Sequence, residues 1–253
     1  MDGIHTQFFI GTSGWTYDHW RGPFYPQDCP KSRWFDYYAA RFSTVEINAT
    51  FYRAFMDLTY RKWYERAPAG FCYVLKAPKT ITHRKYLVDV GAEIEAFDRS
   101  VALLLDKLGI ILLQIAPSTP YDLERLKTAL LAFKDPRRVA VEFRHKRWIT
   151  KETKDLLEDL GVTFCDADSP KSELIGWMTS RQAYLRLHGR KSWYSYDYTF
   201  GELQEIAGFA LRAKDRGADR VFIFFNNDFE GYAPMNALAL QEILNVTSSR
   251  RWR

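Results

Sequence analysis

The chain has 253 residues, of which 47% are hydrophobic and 26% charged, and its net charge is +5. That is the balance of a soluble globular protein, long enough to bury a large core without disulfide staples, and its mild positive charge permits an anionic partner without requiring one. A membrane span is excluded because Asp106 and Lys107 break the best apolar run, and Met1–Gln7 lacks the basic and apolar regions of a signal peptide.

In chain order, a first strand is predicted at 8–12, followed by a long loop over 13–31. Strands at 44–48 and 71–77 come next, then a second long loop over 78–92. Ile94, Phe97, Val101, Leu104, Leu105 and Leu108 keep the 3.6-residue period of a helix, which Gly109 is expected to stop. A strand at 110–115 leads to a helix marked by Leu123, Leu126, Leu130 and Phe133, then to a strand at 138–143. Leu156, Leu157 and Leu160 mark a helix ending at Gly161, and a strand follows at 162–166. A sixth crossover helix is expected between Ser169 and Arg181. After a strand at 183–188, Thr199 and Glu202 read as a capping box before Leu203, Ile206, Ala210 and Leu211. The last strand is placed at 220–226, and Pro234 suits the first turn of a last helix carrying Leu238, Ile243 and Leu244.

Eight short apolar runs alternating with helices, with no linker or composition break, predict a single parallel (β/α)8 TIM-type barrel over residues 1–253. An open doubly wound sheet is the alternative, but Gly11-Thr-Ser-Gly14 lacks the phosphate-binding glycine spacing such a sheet usually carries. Helix-to-strand connections are tight, whereas the strand-to-helix loops 13–31, 78–92, 168–180 and 189–198 are long. Barrel active sites are built from the latter, so the asymmetry locates function before any motif is read.

Side chains two apart on a strand share a face. Counting by twos puts Glu46, Asn48, Lys76, Gln114, Glu142, Arg144, Asp166, Arg186, His188 and Asn226 on the interior face, at the carboxyl ends of seven strands. Inward charges can simply neutralise one another. So many of them must nonetheless be paired or used, because a buried unpaired charge costs several kcal/mol.

The motifs Gly11-Thr-Ser-Gly-Trp15, Glu46-Ile-Asn-Ala-Thr-Phe-Tyr52, Lys76-Ala-Pro-Lys-Thr-Ile-Thr-His83, Gln114-Ile-Ala-Pro-Ser118, Glu142-Phe-Arg-His-Lys-Arg-Trp148, Ala167-Asp-Ser-Pro170, Arg186-Leu-His-Gly-Arg190 and Phe225-Asn-Asn227 fall in order along nearly the whole chain. Together they resemble the YecE-like proteins, domain-of-unknown-function family 72. The resemblance implies a TIM-type barrel and assigns no reaction. Family members often carry a serine where this chain has Arg147.

The residues suggest an enzyme acting on a small anionic substrate such as a sugar phosphate. Glu46 and Glu142 are the candidates for acid/base work, with His188 orienting the substrate or relaying a proton. Lys76, Arg144, Arg186 and Arg190 supply positive charge, and Asn48, Gln114, Asp166 and Asn226 supply polar contacts. Static ion pairs such as Glu142–Arg186 or Glu46–Lys76 are the structural alternative for these carboxylates. The run Arg186–Lys191 opposite Asn226 and Asn227 is the expected anion site.

Glu142, Asp166 and His188 could ligate a metal, as in a metal-dependent phosphodiesterase or isomerase of the endonuclease IV-like kind. Arg144 and Arg186 beside them oppose a dication, so no metal and no cofactor is expected. Trp15, Tyr17, Trp20, His83, Trp148, Trp193, Tyr194 and Tyr196 on the long loops admit another alternative: a non-catalytic binder of single-stranded nucleic acid. Cys29, Cys72 and Cys165 are odd in number and far apart, as reduced thiols of a cytoplasmic protein would be.

Overall fold

The eight apolar runs form β1 (Gln7–Thr12), β2 (Thr44–Ile47), β3 (Cys72–Lys76), β4 (Leu108–Ile115), β5 (Val139–Phe143), β6 (Thr163–Asp168), β7 (Gln182–Leu187) and β8 (Arg220–Phe225). Every residue of β2, β3 and β4 is buried, which is why these strands read as continuous apolar runs and not as alternating ones. The computed structural model describes residues 6–245, so the ends of the expected 1–253 domain and most of Met1–Gln7 lie outside the described residues. The strand order is β1-β8-β7-β6-β5-β4-β3-β2. Ser13, just past β1, makes a parallel bridge with Glu46 of β2. The first strand is therefore adjacent to both the eighth and the second, which an open doubly wound sheet does not allow. The chain has the (β/α)8 TIM-type fold.

The helices are α1 (Trp34–Ala39), α2 (Ala49–Tyr52), α3 (Asp57–Arg66), α4 (Gly91–Val101), α5 (Leu123–Leu131), α6 (Lys151–Leu160), α7 (Phe200–Asp215) and α8 (Tyr232–Ile243). Their ends follow the sequence signals. Thr150 caps α6 by accepting the Thr153 N–H, and Gly161 closes that helix at φ 65, a left-handed conformation that favours glycine. Thr199 and Glu202 form the capping box of α7, and Pro234 lies in the first turn of α8.

Two expectations are corrected. Gly109 does not stop a helix, because α4 passes into a tight 3-10 segment, Ala102–Lys107, that breaks at Leu105 (φ 48). Gly109 then lies inside β4, where the apolar run starting at Leu108 is wholly buried. Lys107 fixes the junction by donating to the carbonyls of Tyr64 and Ala67, each at 2.5 Å.

The sixth crossover helix is also absent: no helix forms between β6 and β7. Residues 169–181 lack an apolar 3.6-residue repeat and carry Pro170 and Gly176, the latter at φ 77. The segment is tied to its own strand instead. Ser169 and Ser172 form an antiparallel bridge, and the Asp166 carboxylate accepts the backbone N–H groups of Ile175 and Gly176.

The chain divides into two compact units made of interleaved segments. One comprises Met1–Glu46, Asp166–Gly176 and Gln182–Arg253, the other Ile47–Cys165 and Trp177–Arg181. In the first, Phe9 stacks on Phe222 at 4.8 Å, and Tyr184 meets Phe224 edge-on at 5.5 Å. Gly11 is required there, since a Cβ would lie 2.5 Å from the Thr44 carbonyl oxygen. In the second, Phe143 stacks on Trp148 and Phe164 packs on Trp177. Among the described residues no helix is long and apolar enough to cross a membrane.

Candidate functional site

Within each unit, several of the expected inward residues form a network. In the first unit Glu46 ends β2 and Arg186 lies on β7. Arg186 grips Glu46 with its fork, Nε donating to Oε2 at 2.9 Å and Nη2 to Oε1 at 2.8 Å. The Ser13 hydroxyl donates to Oε1 at 2.6 Å, and the Tyr184 hydroxyl donates to Oε2. Each carboxylate oxygen thus accepts two hydrogen bonds. Both side chains of the pair are inaccessible to solvent. Burial by itself raises the Glu46 pKa, but the Arg186 charge and the bonds from Arg186, Ser13 and Tyr184 outweigh it and hold the carboxyl below its ordinary value. This carboxylate has no lone-pair direction left for a substrate.

Past β7, His188 is fully buried. Its Nδ1 lies 3.0 Å from the side-chain amide of Asn226, and its Nε2 lies 3.5 Å from Arg186 Nη1. Trp193 and Tyr194 flank the imidazole at 5.4 and 5.9 Å. Arg190 is engaged by acids: Nε donates to Asp168 at 2.9 Å, and Nη1 lies 2.7 Å from Glu205 and 3.5 Å from Glu202. Asn227 donates to the carbonyl of Tyr196 and to Asn236, tying this loop to α8. Asp166 turns to its own loop, and burial raises its pKa despite the backbone N–H groups it accepts.

In the second unit the ends of β3, β4 and β5 line up a row of four side chains. Lys76 Nζ donates to Gln114 Oε1 at 2.9 Å, and Gln114 Nε2 donates to Glu142 Oε2 at 2.7 Å. Arg144 Nε lies 2.6 Å from Glu142 Oε1. The Lys76 ammonium also sits 3.8 Å from the centroid of the Phe51 ring, a cation–π contact. The Thr50 hydroxyl donates to the Lys76 carbonyl at 2.7 Å, which fixes the start of α2 against the end of β3. Two residues before Thr50, Asn48 has a buried Oδ1 that accepts no hydrogen bond among the described residues.

The row differs from the Glu46 pair in accessibility and charge. Glu142 is buried, but the Arg144 side chain is 21% exposed, and two cations stand to one carboxylate within the row. His83 borders it, edge-on to Phe51 at 4.9 Å, with Nδ1 2.8 Å from the Thr82 hydroxyl. Burial lowers the His83 pKa, and the charges of Lys76 and Arg144 lower it further against an opposing contribution from Glu142, to about 4. This imidazole is neutral at pH 7 and can exchange hydrogen bonds without carrying charge.

Sequence reasoning placed His83 only among the loop aromatics. The signal that singles it out, two cations and a carboxylate around one imidazole, exists only in three dimensions. Nothing in the sequence paired Tyr184 and Ser13 with Glu46. Of the loop aromatics, Trp20 and Trp148 are fully buried and pack their loops down. Among the described residues no group of three or more His, Cys, Asp and Glu side chains is placed to hold a metal ion.

Eight parallel strands in barrel order, with polar side chains gathered at their carboxyl ends, define a TIM-type barrel protein. The chain belongs to the DUF72 family, described as a protein of unknown function, whose model matches residues 9–252. It is similar to the UPF0759 protein YunF of Bacillus subtilis (strain 168), with 24% identity over 95% of this chain and 96% of that protein. Among solved structures it is similar to a DUF72 family protein from Thermotoga maritima, with 28% identity and a TM-score of 0.87 over 95% of this chain and all of that one. A DUF72 family protein from Enterococcus faecalis, 21% identical with a TM-score of 0.82 over 95% of this chain and 96% of that one, shares the fold.

Proposed function

We propose that the protein is an enzyme acting on a small anionic substrate, one that bears a phosphate or carboxylate, and that the row Lys76–Gln114–Glu142–Arg144 is its chemical centre. The observation that carries this reading is the pairing of a buried carboxylate with a partly open guanidinium, Arg144 Nε at 2.6 Å from Glu142 Oε1. The exposed part of Arg144 can take an oxyanion in its planar fork, and Lys76 adds a second positive charge at the far end of the row. Glu142 then stands beside the bound anion as the group that accepts or returns a proton, and neutral His83 donates or accepts a hydrogen bond at the substrate. The buried acceptor Asn48 Oδ1 suits a substrate hydroxyl, which favours a hydroxylated molecule such as a sugar phosphate over a bare anion.

In this reading Glu46 is a positioning residue. Its carboxylate is saturated by Arg186, Ser13 and Tyr184, so it holds Arg186 and does not itself exchange protons with substrate. Arg190 is similarly occupied by Asp168 and Glu205, which moves the favoured anion site from the seventh loop to the row.

The test is a screen of phosphate- and carboxylate-bearing hydroxy compounds for turnover, followed by Glu142→Gln. The variant is expected to keep the native circular dichroism spectrum and to lose about 100-fold or more of the rate. A folded Glu142→Gln protein with the wild-type rate contradicts the assignment.

A further inference from the structure

The second unit contains a cavity of about 320 Å³, set among the loops after β2 and β3 and the helices α3 and α4. Its walls are aromatic: Tyr52 and Phe55, Tyr60 of α3 and Phe97 of α4. Its rim is cationic, with Arg53, Lys79 and Arg84. One carboxylate, Glu93, lines it, and Lys85 Nζ holds one of its oxygens at 2.6 Å. The other oxygen, Oε2, is buried and accepts no hydrogen bond among the described residues. Rings and cations are interleaved: the Arg53 guanidinium lies 4.6 Å from the Phe55 centroid, and Lys79 Nζ lies 5.7 Å from that of Tyr52. Tyr52 is itself 67% exposed. The segment leading from Arg84 into α4 holds three non-glycine residues in the left-handed region: Tyr86 at φ 48, Leu87 at φ 66 and Asp89 at φ 46. Such a conformation is uncommon for tyrosine and leucine, though less so for aspartate, and concentrates at ligand clamps.

We propose that this cavity binds a small ligand joining an aromatic ring to one anionic group, an aryl phosphate or aryl carboxylate. The ring packs among Tyr52, Phe55, Tyr60 and Phe97, where offset and edge-on contacts with aromatic faces are available. The anionic group meets Arg53, Lys79 and Arg84, and Glu93 Oε2 accepts from a ring N–H or hydroxyl. A purely apolar ligand would strip water from three cations and return nothing. A bare oxyanion would leave the aromatic walls unfilled. The volume lies at the lower end of small-molecule sites, enough for one substituted ring system and not for a polymer. The site is distinct from the row but adjoins it: Phe51 lines the cavity, and its ring is also the one that takes the Lys76 ammonium.

Calorimetric titration tests this, using phenyl phosphate, benzoate, inorganic phosphate and phenol. At least one of the two aryl anions is expected to bind about tenfold tighter than both phosphate and phenol, and which one does distinguishes the phosphate source from the carboxylate source. That affinity is expected to fall about tenfold or more in the triple variant Arg53→Gln, Lys79→Gln, Arg84→Gln, and to stay within about twofold in Lys151→Gln, which removes a cation of α6 outside both the row and the cavity. Tyr52→Ala removes an exposed ring and is expected to weaken binding about threefold or more, which keeps the test open if the triple variant misfolds. The proposal is overturned if neither aryl anion gains over its separate parts, if the cavity variants bind as wild type does, or if Lys151→Gln weakens the binding as much as they do. Loss of the row's oxyanion affinity in Arg144→Gln bears on the proposed enzymatic centre and not on this cavity.

Discussion

Glu46 and Glu142 look alike in sequence: both end a barrel strand on the interior face, and both were expected to do acid/base work. Their surroundings separate them. Glu46 is enclosed by four donated hydrogen bonds and a guanidinium that is 1% exposed. One oxygen of Glu142 accepts from Gln114, and the other lies 2.6 Å from an Arg144 that reaches solvent. A carboxylate saturated by fixed donors is pinned in its charged form and serves as a structural anchor. One that sits beside an accessible cation can meet a substrate. The strand-end position is common to both, and the chemistry follows from what fills the lone pairs.

The largest expected effect is on stability at the anchor. Arg186→Met leaves Glu46 as a buried charge without its counterion and is expected to lower unfolding free energy by about 3–5 kcal/mol. Arg144→Gln, at the more open pair, is expected to cost no more than about 2 kcal/mol, since Gln114 still donates to Glu142. Urea denaturation of both variants measures the contrast, and equal losses would erase the distinction drawn between the two carboxylates.

Acid response sharpens it further. Because the Glu46 pKa is depressed from its ordinary value near 4.5, its stabilisation is present above that value and is lost as pH falls through the depressed pKa. Glu46→Gln is therefore expected to flatten the stability profile below pH 4.5 and to leave its shape above that pH unchanged. Denaturation midpoints recorded across that range check the sign.

A smaller effect is spectroscopic. The His83 imidazole is expected to titrate near 4, with its pKa moving up toward 6.5 in Arg144→Gln, because one of the charges that lowers it is gone. NMR titration of the His83 ring protons reads this directly. A midpoint that ignores Arg144 would place the imidazole outside the row's field. The smallest effect is at the surface, where Lys151→Ala breaks an exposed pair with Asp155 on α6 and is expected to leave the thermal or urea unfolding midpoint almost unchanged.

The strands were legible because each is short, apolar and bounded by turn residues, and parity set Glu46 and Arg186 on one side, where they meet. The helix ends at Gly161 and Thr199 were legible because capping is local chemistry. The segment between Ser169 and Arg181 was not, because its order comes from Asp166 reaching nine and ten residues along the chain to the N–H groups of Ile175 and Gly176. Gly109 misled because a glycine after an apolar helical run resembles a cap, while Leu105 had already ended the helix. The partners that the strand-end residues reach were hidden for a further reason. Parity gives the face of each side chain but not which neighbours it reaches, and the two glutamates differ only in those neighbours.

The central claim is that the row, and not the Glu46–Arg186 pair, receives the anion. Titration calorimetry of inorganic phosphate and citrate into the wild-type protein, Arg144→Gln and Glu46→Gln tests it most directly. The account predicts that Arg144→Gln loses about tenfold or more of the oxyanion affinity while folded Glu46→Gln stays close to wild type. Retained affinity in Arg144→Gln, with loss confined to Glu46→Gln, would contradict it.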